Sequence, residues 1–232
     1  LNLSYNKLSG SIPKKIGNLK NLTHLLLGWE GKIGEISSGN RLSGEIPKSI
    51  GNLNNLIVIN LNYNLLSGEI PSLIGNLTKL NSLNLSGNEL KGEIPNQIGN
   101  LINLNYLNLS SNDLTGEIPS SIGKLTKLFT LDLSYNNLNG EIPDIGNILD
   151  LYTCLLNNNQ LTGGIIPKGN FRQLFHLDLS SNQLSGKINC KLISMGFGGG
   201  RWSQLSNNKF CPPYPECVES VIGEQDTTNC GN

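Results

Sequence analysis

Two histidines, His24 and His176, are the side chains of this 232-residue chain whose ordinary titration falls near neutral pH. His176 stands two positions from Asp178, a spacing that puts imidazole and carboxylate on one face of a strand. A hydrolase would add an activated nucleophile, and no Gly-x-Ser-x-Gly elbow occurs anywhere in the chain. The glycine-rich run Gly196–Gly200 lacks the lysine and the following helix of a phosphate cradle. No His, Cys, Asp and Glu set has the spacing of metal ligands, so no metal and no cofactor is expected. Seventeen basic and seventeen acidic residues give a formal charge of zero, so electrostatics favour neither nucleic acid nor an anionic membrane as partner. No apolar run is long enough to span a bilayer. The chemistry legible in single residues is therefore binding rather than catalysis.

The five cysteines divide into one and four. Cys154 occupies a slot that leucine fills elsewhere and reads as a buried free thiol. Cys190, Cys211, Cys217 and Cys230 cluster near the C-terminus, where their grouping predicts disulfides and an oxidising compartment. Four thiols allow three pairings, among which the sequence does not choose. A zinc site is the rival, but Cys211 and Cys217 have five residues between them and no ligand-spaced histidine accompanies them.

What positions these side chains is repetition. Leu61, Leu85, Leu109 and Leu133 recur every 24 residues, and the text between them is nearly the same each time. Within Leu80–Ile98 (LNSLNLSGNELKGEIPNQI) the leucines Leu83 and Leu85 alternate with Ser82, Asn84 and Ser86. Period two means a short strand with one buried face. One such strand cannot shield its own leucines, so copies must stack into a parallel sheet over a common core. Asn88 marks where the chain leaves the strand. Its side chain can bond turn backbone, and its equivalents Asn64, Asn112, Asn136, Asn159 and Asn182, with Asn6, Asn40 and Asn208 at the ends, can form a ladder from coil to coil. The Ile94-Pro95 pair then limits pairing on the far side of the coil to a short, edge-like segment, because proline donates no amide hydrogen.

Taking the second strand leucine as marker gives nine coils: Leu3, Leu27, Leu61, Leu85, Leu109, Leu133, Leu156, Leu179 and Leu205. The coil after Leu27 carries about ten extra residues, expected within Gly28–Gly39. Residues 1–210 read as one solenoid and 211–232 as a cysteine-containing C-terminal cap or tail. Leu1 and Leu3 are already strand residues with no polar cap before them, which is expected of part of a longer product.

The run Leu104–Leu125 (LNYLNLSSNDLTGEIPSSIGKL) resembles the plant-type leucine-rich repeat, whose Gly-x-Ile-Pro element separates it from other classes. It is similar to the ectodomains of plant receptor-like kinases and receptor-like proteins and to polygalacturonase-inhibiting proteins, over about residues 1–210. The resemblance implies an α/β-type right-handed superhelical solenoid. A parallel β-sheet would line the concave face, with a short second sheet and 3-10 or irregular segments on the convex side. It also implies an extracellular or cell-surface binding role, with a protein or peptide ligand and a co-receptor as partners. Two alternatives accompany it: a secreted inhibitor of a cell-wall-degrading enzyme, and an ice-binding surface built on the regular Asn and Ser columns. The cysteine-bearing N-terminal cap of the family is absent, and the C-terminal cap is not its usual short cysteine pair.

On a stacked sheet, outward residues form columns with one member per coil. One column reads His24, Val58, Ser82, Tyr106, Thr130, Thr153, His176; the next reads Asn2, Leu26, Asn60, Asn84, Asn108, Asp132, Leu155, Asp178. The bordering column turns aromatic at Phe129, Tyr152 and Phe175. Tyr106, Phe129, Asp132, Tyr152, Phe175, His176 and Asp178 thus make an aromatic and acidic patch suited to a protein or peptide ligand. The same residues have a plainer role, as edge aromatics packing on neighbouring coils and aspartates standing in for asparagines. Asn2, Asn21, Asn76, Asn84 and Asn108 head glycosylation sequons, although Leu-Asn-Leu-Ser is also simply how this repeat is spelled. Glu45, Glu69, Glu93, Glu117 and Glu141 stack in one slot and are expected to face solvent.

Overall fold

Each Leu-x-Leu segment supplies only three residues to the main sheet, because the asparagine turns the chain away directly afterwards. In the computed structural model, eight such strands line up in parallel. They are His24–Leu26, Val58–Asn60, Ser82–Asn84, Tyr106–Asn108, Thr130–Asp132, Thr153–Leu155, His176–Asp178 and Trp202–Gln204. Asn2 adds a bridge to Leu26, so a ninth coil begins the stack. The structure describes residues 1–29, 39–165, 173–188 and 202–230. The body of the expected insert, Cys190 and the Gly196–Gly200 bend lie outside them.

Pairing in this sheet is in register from end to end: Leu25, Ile59, Leu83, Leu107, Leu131, Cys154 and Leu177 are successive partners. Leu25, Ile59, Leu83 and Leu107 are wholly buried. A parallel sheet with one covered face and single-coil connections is stable only because each coil's leucines fill the gaps of the next.

A second sheet runs along the coil's return: Ser9–Gly10, Arg41–Glu45, Leu65–Glu69, Glu89–Gly92, Asp113–Glu117 and Asn137–Asn139. Its strands reach five residues, longer than the edge-like segment expected, because they stop before the Ile-Pro pair. Here the register slips by two residues per coil, Gly44 pairing with Leu66 and Gly68 with Leu90. One sheet in register and the other offset means that neighbouring coils are skewed against each other.

Proline then starts the next element. Pro47, Pro71, Pro95 and Pro119, with φ of −65 to −66°, lead into the five-residue 3-10 turns Lys48–Asn52, Ser72–Asn76, Asn96–Asn100 and Ser120–Lys124. A missing N–H costs nothing at that position. Ile50, Ile74, Ile98 and Ile122 bury themselves completely from these turns. Gly75 lets the turns approach: a Cβ on it would lie 2.4 Å from the carbonyl oxygen of Gln97 in the next coil.

The asparagine ladder binds the strand exits together. Asn112 Nδ2 donates to the carbonyls of Leu85, Leu109 and Ser110 at 3.0, 3.0 and 3.2 Å, and its Oδ1 accepts the amide of Leu90 at 3.0 Å. Asn64, Asn88, Asn136, Asn159 and Asn182 repeat the pattern. At the C-terminal end Gln225 takes the place of the next asparagine. Its Nε2 donates to Leu205 O at 2.9 Å and its Oε1 accepts from Phe210 N at 3.3 Å. Residues 216–226 likewise accept the hydrogen bonds a further strand would receive, Leu205 N to Val221 O and Asn207 N to Glu224 O. Phe210, Val218 and Ile222 close the core there, and a Cys211–Cys230 disulfide ties the segment down. Cys217 is also disulfide-bonded.

Candidate ligand-binding face

Backbone hydrogen bonding explains why the aromatic column stacks. Tyr152 N donates to Phe129 O and Phe175 N to Tyr152 O, each at 2.9 Å, so residues just before the strands stand one above another. Their rings follow. Phe129 and Tyr152 lie 4.8 Å apart at 5°, and Tyr152 and Phe175 lie 5.1 Å apart at 3°. His176 leans against Phe175 with centroids 4.7 Å apart. Stacked rings spend their faces on each other and turn their edges outward; Phe129, at the end of the row, stays 42% exposed. Such a row is rigid and large, with little entropy left to lose when something binds it.

The two aspartates are more embedded than solvated substitutes for asparagine would be. Asp178 is buried, its Oδ1 accepting from Ser180 N at 2.9 Å and Ser180 Oγ at 2.6 Å. Asp132 repeats this with Ser134 at 3.1 and 2.6 Å. Asn84 and Asn108 make the same turn with Ser86 and Ser110. Oδ1 of each of these side chains thus serves the strand exit, closing a turn onto the serine two residues on. Burial raises the Asp132 carboxyl above the ordinary value, opposed by the bonds from Ser134 and Ser110. Tyr106, one coil earlier, accepts a hydrogen bond at its hydroxyl from Asn108 Nδ2 at 3.1 Å.

The remaining groups sort by place. His24 and His176 share a column but stand six strands apart, about 29 Å at one strand spacing per coil, so they form no joint site. Cys154 sits inside the core with its thiol pushed up to about 12, first by burial and then by the charge of Asp132, and is inert as a nucleophile. Among the described residues no three of His, Cys, Asp and Glu gather as metal ligands would. Also among them, no helix is long and apolar enough to cross a membrane. Asn2, Asn21 and Asn76 are exposed; Asn84 and Asn108 are half-buried in the middle of the sheet. All five glutamates of the Gly-Glu-Ile-Pro slot are exposed.

A second aromatic cluster escapes the column reading above. Tyr5, Trp29 and Tyr63 each stand two positions after a marker leucine (Leu3, Leu27 and Leu61), on the opposite edge of the sheet and at its other end. Trp29 lies 6.4 Å from Tyr5 and 5.4 Å from Tyr63. Their spacing of 24 and 34 residues was available in the sequence. The slot is hard to recognise because its backbone has left the strand: Tyr5, Tyr63 and Tyr135 have φ of 55°, 48° and 54°.

Comparison with known proteins agrees with this architecture. A family model described as Leucine Rich Repeat matches residues 1–19, 55–77, 79–101, 103–125, 127–147 and 173–195. The plant peptide hormone receptor RGFR1, solved in complex with RGF2, is 35% identical with a TM-score of 0.82, over 94% of this chain and 34% of that one. The ectodomain of the Arabidopsis thaliana receptor kinase GASSHO1/SCHENGEN3, solved with CASPARIAN STRIP INTEGRITY FACTOR 2, is 33% identical with a TM-score of 0.71, over 92% and 30%. The chain thus spans about a third of the length of these receptors. A plant ice-binding protein is 27% identical with a TM-score of 0.68, over 96% of this chain and 82% of that one. No curated protein matches the chain.

Proposed function

The chain belongs to the leucine-rich repeat family, and from that premise we propose that it is a non-enzymatic module that grips a peptide or protein. In this reading it is the extracellular, ligand-sensing part of a receptor-like kinase or receptor-like protein, with a co-receptor as a second partner. The observation that carries it is the Phe129–Tyr152–Phe175 row with His176 beside it. An aromatic anchor of this size, held on a rigid sheet and flanked by Asp132 and Asp178, has the composition of a binding hot spot. Two similar proteins were solved with RGF2 and CASPARIAN STRIP INTEGRITY FACTOR 2 bound, which supports a peptide as ligand class. Oxidised cysteines support a secretory location. The test is selection of a displayed random-peptide library on the purified chain, followed by affinity measurements on variants. Phe129→Ala and Tyr152→Ala should each weaken selected peptides about tenfold or more. Asp178→Asn, which keeps the turn to Ser180, should weaken those carrying Lys or Arg. Binding unchanged in all three variants would put the ligand elsewhere.

A second reading is an ice-binding protein, favoured by one observation: the similar ice-binding protein is matched over 82% of its own length. Thermal hysteresis of the purified chain decides it. Growth inhibition of ice at micromolar protein supports that reading, and an ordinary freezing curve removes it.

A further inference from the structure

A cavity of about 370 Å3 opens on the edge where strands turn towards the second sheet, lined by Arg41, Tyr63, Asn64, Leu65 and Gly87. It exists because Gly87 brings no side chain to a slot where Tyr63 and Tyr135 project one. A Cβ on Gly87 would lie 2.7 Å from Cδ1 of Tyr63, so the ring rests directly on the glycine backbone, whose φ is +63°. Trp29 holds the ring from the opposite side, edge to face at 75°. The walls are unusually apolar for an open surface: Tyr63 is 43% and Leu65 40% exposed. At the rim stands Arg41, an exposed guanidinium with no hydrogen bond or ion pair to any described residue. Lys7, also exposed, occupies the same slot one coil earlier. Leu65, which follows Arg41 in that column, supplies no countercharge.

We propose that this cavity takes an apolar side chain of an extended peptide whose neighbouring carboxylate pairs with Arg41. The apolar group fills the space beside Tyr63 and Leu65, and the guanidinium fork receives the two carboxylate oxygens. That carboxylate is the side chain of an adjacent Asp or Glu. The inference rests on the peptide-binding reading above and adds a second anchor, at the opposite edge and end of the sheet from Phe129.

The experiment selects two random-peptide libraries on the whole chain, one ending in a free carboxylate and one amidated, and repeats both on Arg41→Gln and Arg41→Glu. The Arg41 side chain is exposed and makes no bond to a described residue, and both substitutions leave its backbone bond to Leu8 O in place, so unchanged melting curves are expected for both variants. Wild-type chain should enrich apolar–acidic pairs from both libraries. Arg41→Gln should weaken the selected peptides about tenfold, and Arg41→Glu should turn the preference to apolar–basic pairs. Enrichment confined to the free-carboxylate library would show that a C-terminus binds and overturn the side-chain assignment. Peptides that bind through Phe129 and Tyr152 but are indifferent to Arg41 would overturn the cavity assignment and leave the wider reading standing. A library that yields no binder at all overturns both.

Discussion

Asn112 shows how much one side chain carries in this molecule. Its four hydrogen bonds reach three backbone segments in two coils, and all lie out of water. Asn112→Ala should therefore destabilise the chain by about 1–3 kcal/mol in denaturant unfolding, since several buried backbone groups lose their partner at once. Asn6 is exposed and its Nδ2 donates only within its own turn, to Leu3 O and Ser4 O, so replacing it should cost far less, because water can substitute. Asp132 predicts a pH effect of definite sign. Its carboxyl is raised in the folded state, so the stability it contributes is complete below the unfolded carboxyl value and is lost as pH climbs through the folded one. Asp132→Asn keeps the turn to Ser134 and removes the buried charge. The variant should melt higher than the parent at pH 7, and the gap should close near pH 3; a gap independent of pH would mean the charge is not the cause. The ladder asparagines were legible from spacing alone. That Asp178 is buried was not, since a strand pattern reports which face a residue takes and not how deeply its neighbour's serine covers it.

Between coils the tightest constraint is steric. Gly75 sits 2.4 Å, measured from the Cβ it lacks, beneath the Gln97 carbonyl, and Gly51 and Gly99 repeat the arrangement at 2.4 and 2.5 Å. Gly75→Ala should force two coils apart and cost about 1–3 kcal/mol. In an array where each coil touches only its neighbours, that loss should appear first as faster amide exchange around Ser72–Gln97. Uniform exchange along the chain would contradict nearest-neighbour stability. The repeat made the strands and the core leucines readable beforehand, whereas the Ile-Pro pair suggested a short edge-like segment and instead starts a 3-10 turn. The closing coil was not readable, because Gln225 does an asparagine's work from a segment with no repeat spelling. Nor was the second sheet's two-residue slip, which depends on how coils skew rather than on any one coil's text.

Seen whole, the molecule is a rigid sheet with aromatic clusters at opposite edges and opposite ends, Tyr5–Trp29–Tyr63 and Phe129–Tyr152–Phe175, separated by the polar Asn60, Asn84 and Asn108. Only the second cluster lay in a column the strand period exposes, which is why it alone was anticipated. The face itself is the central claim, and photo-crosslinking addresses it most directly. A library-selected peptide carrying a diazirine should label residues of the main sheet, with Phe129, Tyr152 and His176 among the modified positions found by mass spectrometry. Labelling concentrated instead on the outer turns, at Lys48, Ser72, Asn96 or Ser120, would contradict the account.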